Sequence, residues 1–134
     1  MNFVNYLPAS FSNLGYSKQV ILESKTNTIY VNSITVCNTS NNDIRINLLK
    51  NIIGTDSSSN QTFLTKNLEI SAPGANKIST INLVSYFGLN EFLSVYINNN
   101  ITYTCQLIIY SGGVNQNFDC TVNYSIFVET PITS

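Results

Sequence analysis

At 134 residues, 43% of them hydrophobic, the chain is long enough to bury its own core as one domain without metal or disulfide staples. Only 10% of residues are charged, well below the roughly 25% of an average soluble protein. The net charge of −1, with six Lys and Arg scattered singly, offers no basic patch for nucleic acid or anionic lipid. No apolar run approaches the roughly 18 residues of a membrane span, and three cysteines without a CxxC argue against a disulfide framework or a zinc site.

Residues 1–17 hold Phe3, Tyr6, Phe11 and Tyr16 among polar residues without strict alternation. They read as an extended N-terminal arm and not as a core strand, which leaves 18–134 as the folded domain. The same segment lacks the basic and continuous apolar regions of a standard signal peptide, so the chain is expected to be synthesised in a reducing host cytoplasm. Beyond the arm, runs rich in Ile, Val, Tyr, Phe and Thr recur between Asn, Gly, Ser or Pro clusters. That is the pattern of an antiparallel sandwich or barrel. Strands are predicted near 18–24, 28–37, 43–50, 62–70, 76–83, 91–97, 101–111 and 118–128.

In "ITVCNTSNNDIRINL", residues 34–48, Ile34 and Val36 share parity with Ile44, Ile46 and Leu48, while Arg45 and Asn47 alternate outward. A five-residue loop, 38–42, makes this a hairpin with Cys37 and Asp43 at its mouth, since Asn and Asp favour turns. Upstream, Ile29 and Val31 have the other parity. A β-bulge near Asn32-Ser33, or a crossing between sheets, reconciles the two halves. "NIIGTDSSSNQ", 51–61, reads as an exposed loop, "SAPGAN", 71–76, as a turn, and "SYFGLNE", 85–91, as an aromatic connection.

The closing stretch predicts a meander. A three-residue loop Asn98–Asn100 sets Ile97 opposite Ile101, Val95 opposite Tyr103 and Leu93 opposite Cys105. In 118–128 the even positions Phe118, Cys120, Val122, Tyr124 and Ile126 face inward. A two-residue turn at Gly112-Gly113 sets Cys105 opposite Cys120; a six-residue loop, 112–117, sets it opposite Tyr124, and the polar "VNQN" favours the longer one. Both thiols lie on the buried face in either case.

The chain has no histidine, which removes the Ser-His and Cys-His dyads, imidazole metal sites and the commonest general base. Cys105 and Cys120 read as structural, and so does Cys37, which has no base to deprotonate it. The carboxylates are not clustered as a glycosidase pair or a calcium loop requires. No catalytic residue, metal site or cofactor site is predicted. Tyr30, Phe92, Tyr96, Tyr110 and Phe127 have the parity opposite to the main apolar set. They are candidates for subunit interface, for cover by the same chain, or for a sugar-stacking platform.

"TIYVNSITVCNTSNNDIRINLLK", then "LEISAPGANKISTINL", "GLNEFLSVYI" and a closing pair of strands, resembles small virion proteins of tailed bacteriophages, over residues 26–128. The resemblance implies a β-sandwich used in many copies in a tail, neck or head-decoration layer, and implies no catalytic residues. The fold expected is all-β: a single antiparallel, jelly-roll-like sandwich of about eight strands. The function expected is a non-enzymatic virion subunit that assembles with its own copies and other virion proteins, with Phe3, Tyr6 and Phe11 as arm contacts. Nucleic acid and membrane are not expected partners. The alternative is a glycan- or receptor-binding module on a fibre or cell surface, using loops 51–61 and 112–117 with an exposed tyrosine such as Tyr110.

Overall fold

The computed structural model describes residues 2–74, 77, 79–84 and 92–128, with side chains for all of these except 2–7, 92 and 128. The predicted connection 85–91 therefore lies outside the described residues. Because β-branched and aromatic residues pack well on a pleated surface, the alternating runs form strands. Ten occur among the described residues: β1 (Asn2–Leu14), β2 (Gln19–Ser24), β3 (Thr28–Asn38), β4 (Ile44–Gly54), β5 (Ser59–Ile70), β6 (Thr80–Asn82), β7 (Phe92–Leu93), β8 (Tyr96–Asn98), β9 (Ile101–Ser111) and β10 (Phe118–Val128).

They form two antiparallel sheets. One runs β1-β10-β3-β6, with β7 also on β3; the other runs β2-β9-β4-β5, with β8 on β9. Along β3, residues Thr80–Asn82 oppose 35–37 while Phe92 and Leu93 oppose Tyr30 and Ile29, so β6 and β7 are two pieces of one edge. Taken so, the eight main strands have the order of a double Greek-key jelly roll, to which β8 adds a short hairpin. The fold is the all-β jelly-roll sandwich that the alternation implied.

Between the sheets lie Ile34, Val36, Ile44, Ile46, Leu48, Leu107, Ile109, Phe118 and Val122, each with 1% exposure or less, and Cys105 and Cys120 are buried among them. Burying each large aliphatic or aromatic side chain contributes roughly 1.5–3 kcal/mol. The parity inferred from sequence is correct at every one of these positions. The bulge is present too: Asn123 opposes Ser33 and Tyr124 opposes Val31, so Asn32 is the extra residue that moves the buried set from Ile29 and Val31 to Ile34 and Val36.

The pairings differ from expectation. β3 and β4 are not a hairpin, since β3 lies between β10 and the β6–β7 edge while β4 lies between β9 and β5. Nor do 91–97, 101–111 and 118–128 form a meander. The first divides into β7 in one sheet and β8 in the other, and β10 pairs with β1 and β3, never with β9. The β8–β9 turn contains two residues, Asn99 and Asn100, with φ of 50° and 64°. Positive φ at both central positions is the type I′ geometry that matches strand twist, and it slips the register by one, so that Tyr96 opposes Tyr103 and Ile97 opposes Thr102.

Residues 51–54 and 59–61 are strand and not loop; the hairpin turn is confined to 55–58, where the Ser57 N–H donates to the Gly54 carbonyl and the Gly54 N–H to the Ser58 carbonyl. The N-terminal segment is extended as expected but is a strand of the sheet, paired along β10 from Asn2–Val128 to Leu14–Phe118, with Phe11 and Leu14 packed on the core. A register break between Phe11 and Leu14 hides its alternation, since it moves the partly buried set from Ala9 and Phe11 to Leu14, and a second break lies between Val4 and Leu7.

Candidate functional site

Antiparallel strands that alternate between sheets place the connections 15–18, 39–43 and 112–117, with residues 71–74, at one end of the sandwich. The turns 25–27, 55–58 and 99–100 lie at the other. Direct hydrogen bonds tie the first set together. The Ser111 N–H donates to the Gly15 carbonyl (2.9 Å), that of Gly112 to the Arg45 carbonyl (2.9 Å), that of Thr39 to the Asn117 carbonyl (3.2 Å) and that of Asn38 to the Ser79 carbonyl (2.8 Å). Side chains add the Arg45 N–H to Gln116 Oε1 (2.9 Å), the Ala72 N–H to an Asp43 carboxylate oxygen (2.9 Å) and the Asn13 N–H to an Asp119 carboxylate oxygen (3.0 Å).

Asn38 anchors this end. Its side chain, 1% exposed, donates from Nδ2 to the Asn42 and Ile70 carbonyls (2.9 and 3.1 Å) and accepts at Oδ1 from the Ser40 N–H and hydroxyl (2.9 and 2.8 Å). A buried carboxamide is stable only when its donors and acceptor are met, and here they are. Beside it opens a depression of about 330 Å³ lined by Thr39, Ser40, Asn41, Asn42, Asn115 and Asn117. None of the six is charged or apolar.

The predicted contact residues are not gathered into one patch. Tyr30 and Phe127 are half-buried on the outward face of the first sheet, Tyr30 beside a depression of about 500 Å³ shared with Asn32, Ser33 and Asn123. Around it that face is polar and internally bonded: Asn32 Nδ2 donates to the Ser125 hydroxyl and Asn123 Nδ2 to that of Ser33. Tyr110 is half-buried on the outward face of the second sheet, with Lys18 Nζ 5.7 Å from its ring centre. Tyr96 is 44% exposed and stacks on Tyr103 with centroids 4.8 Å apart. Phe11 is half-buried and packs on the core. The side chains of Phe3, Tyr6 and Phe92 lie outside the described residues.

The outward face of the second sheet holds a feature that alternation did not single out. Register sets Val20 beside Ile108, Ile108 beside Leu49 and Leu49 beside Phe63, an apolar row across β2, β9, β4 and β5. Leu49 and Ile108 are buried yet stand apart from the cluster between the sheets. Phe63 is 43% exposed with Lys66 Nζ 5.1 Å from its ring centre. Next to the row, Asn51 Oδ1 is buried and meets no donor among the described residues. The signal was present in "NLLKNII" and "LIIY", where both parities are apolar.

Reactive groups are dispersed. Burial pushes the Cys120 thiol up to about 12, far from the thiolate a nucleophile needs. Cys37, half-buried, approaches the Asn38 carbonyl at 3.9 Å. Asp56 accepts from the Ser58 hydroxyl (2.6 Å) and N–H (3.1 Å), which hold its carboxyl below the ordinary range. Among the described residues no group of three or more Cys, Asp or Glu is placed to hold a metal ion, and no helix is long and apolar enough to cross a membrane.

No protein-family model and no curated protein matches the chain. Among solved structures, it is similar over 92% of its length to a chain of the infectious bursal disease virus Gt strain, with 12% identity and a TM-score of 0.45. For the Gx strain the values are 92%, 8% and 0.40. The chain spans 30% and 33% of those two chains.

Proposed function

We propose that the protein is a non-enzymatic structural subunit of a virion, of the tailed-bacteriophage kind that the sequence resembles, assembling in many copies with itself and with other virion proteins. The observation that carries this is the exposed Phe63 at the end of the apolar row Val20, Ile108, Leu49 and Phe63 on the outer face of the second sheet. Leu49 and Ile108 are already covered within the chain, so the row offers contact through Phe63, 43% exposed at its β5 end, and exposed large apolar side chains mark contact surface. The exposed Ile97 at 73% and Val114 at 69% give each end of the sandwich a further apolar point. A surface poor in charge has little long-range repulsion to keep copies apart, and repetition multiplies modest contacts.

Light scattering behind a sizing column tests this. The intact chain is expected to rise above monomer mass with concentration, and Phe63→Ser with Ile97→Ser to return it to monomer with unchanged circular dichroism. A strict monomer at high concentration, or a multimer indifferent to both substitutions, overturns the role in assembly. Peptides of this chain in the protein composition of purified particles are the expected sign of a virion location.

A further inference from the structure

The depression at the tied loop end has a chemistry that subunit packing does not use. Asn41, Asn42, Asn115 and Asn117 are exposed, and their carboxamides, like the Thr39 hydroxyl, meet no hydrogen-bond partner among the described residues. Ser40 differs: its hydroxyl is spent on Asn38 Oδ1 and the Asn42 carbonyl. Each free carboxamide offers two donors and an acceptor. That set matches hydroxyl groups, which donate and accept at once.

In the connection 15–18 stands Tyr16, 59% exposed. It follows Gly15, where a Cβ would lie 3.7 Å from Asn117 Oδ1, and the Gly15 carbonyl is held by the Ser111 N–H. The 15–18 connection therefore borders Asn117, and the exposed Tyr16 ring that it carries has a face that suits the apolar C–H side of a sugar ring. Val114, 69% exposed, precedes Asn115 on the far rim. The volume, about 330 Å³, is at the small end of ligand sites, which run roughly 300–1,000 Å³. It accommodates a mono- or disaccharide. Without a carboxylate in the lining, a divalent cation lacks its usual ligands, and without a cation an anionic ligand lacks a counter-charge.

We infer that this end of the sandwich binds a neutral glycan, with Asn41, Asn42 and Asn115 bonding its hydroxyls and Tyr16 carrying its apolar face. The cross-loop hydrogen bonds hold the site in shape beforehand, so little ordering cost falls on binding. The site is distinct from the loops 51–61 and the Tyr110 ring of the sequence expectation. Residues 55–58 lie at the opposite end, and Tyr110 lies on a sheet face.

The probe is a printed array of neutral and sialylated oligosaccharides, read with the intact protein displayed on a tetrameric carrier to multiply weak single contacts. Neutral glycans are expected to bind, with sialylated ones no better. Tyr16→Ala, and Asn41→Ala combined with Asn115→Ala, are each expected to cut the signal at least tenfold, while Tyr110→Ala leaves it unchanged. All substituted side chains are at least partly exposed, and melting curves confirm that each variant folds. Absence of binding, preference for acidic glycans, or binding that survives the Tyr16 and Asn41/Asn115 substitutions overturns the inference. None of these results touches the sizing experiment, so the two proposals fail separately.

Discussion

Replacing Asn38 probes the loop end most directly. Asn38→Ala removes four hydrogen bonds of 2.8–3.1 Å from a side chain 1% exposed and leaves the Ile70 carbonyl, a strand-end acceptor, without that donor. Each such bond is worth about 0.5–1.5 kcal/mol net. Because Ser40 and the Asn42 carbonyl regain partial hydration, the expected loss is about 3 kcal/mol, near the lower half of the summed range. For a domain of this size that is roughly 10 °C in Tm. Asn38→Asp keeps the Oδ1 acceptor but sets a second carboxylate oxygen against two carbonyls. At pH 7 it is expected to cost at least as much. The new carboxyl has a folded pKa raised above its unfolded value, so the neutral acid is the form the fold prefers. The destabilisation is therefore greatest above the folded pKa, and it shrinks as pH falls toward about 4, where unfolded Asp also protonates. Urea unfolding followed by circular dichroism at pH 7 and pH 4 measures both. An Asn38→Ala loss below about 0.5 kcal/mol, or an Asn38→Asp deficit independent of pH, refutes the anchoring role.

Phe118→Ala, at a fully buried position, is expected to cost about 3–5 kcal/mol by denaturant titration. With burial holding the Cys120 thiol up at about 12, against 9.0 for an ordinary thiol, its folded form keeps the proton while the unfolded form loses it. Stability should fall as pH rises through 9, by about 1 kcal/mol at pH 10, and Cys120→Ala should remove that component of the slope. In native protein a thiol reagent should label Cys37 first, with Cys105 and Cys120 reacting only on unfolding, as mass mapping can show. Asn100→Gly, at φ 64°, should stabilise the β8–β9 turn by about 0.5 kcal/mol, because glycine adopts that region without strain. Ser58→Ala should move the Asp56 carboxyl up toward its ordinary value in a carbon-detected NMR titration, since the Ser58 hydroxyl is the first cause of its lowering.

Alternation in the sequence told which side chains face inward, down to the extra residue at Asn32, but not which strands are neighbours. In a sandwich, Val36 and Ile44 both point into the gap whether a turn joins their strands edge to edge or carries the chain across to the opposite sheet. Parity is the same in both cases, so 38–42 and 112–117 passed for hairpin loops. The turn at Asn99-Asn100 was misjudged by a single residue for another reason. Positive φ at two adjacent asparagines decides that register, and only backbone geometry reveals it. The aromatic candidates suffered likewise. Outward parity placed Tyr30 and Tyr110 on faces, but both are half-buried there, Tyr110 beside Lys18. Leu49 and Ile108 were missed because a run apolar on both parities reads first as core. The polar depression left only its composition, Asn beside Asn in two distant loops, and their meeting at one end follows from the strand order.

That order also governs how the chain comes together as it is made. β9 lies between β2 and β4, and β10 between β1 and β3, so the last two strands of this fold are the ones inserted in the middle of each layer. Until residues 101–128 have left the ribosome, the first three strands have no lateral neighbour among themselves and the nascent segment holds unpaired ribbons. Both layers are therefore closed laterally only once β9 and β10 are in place.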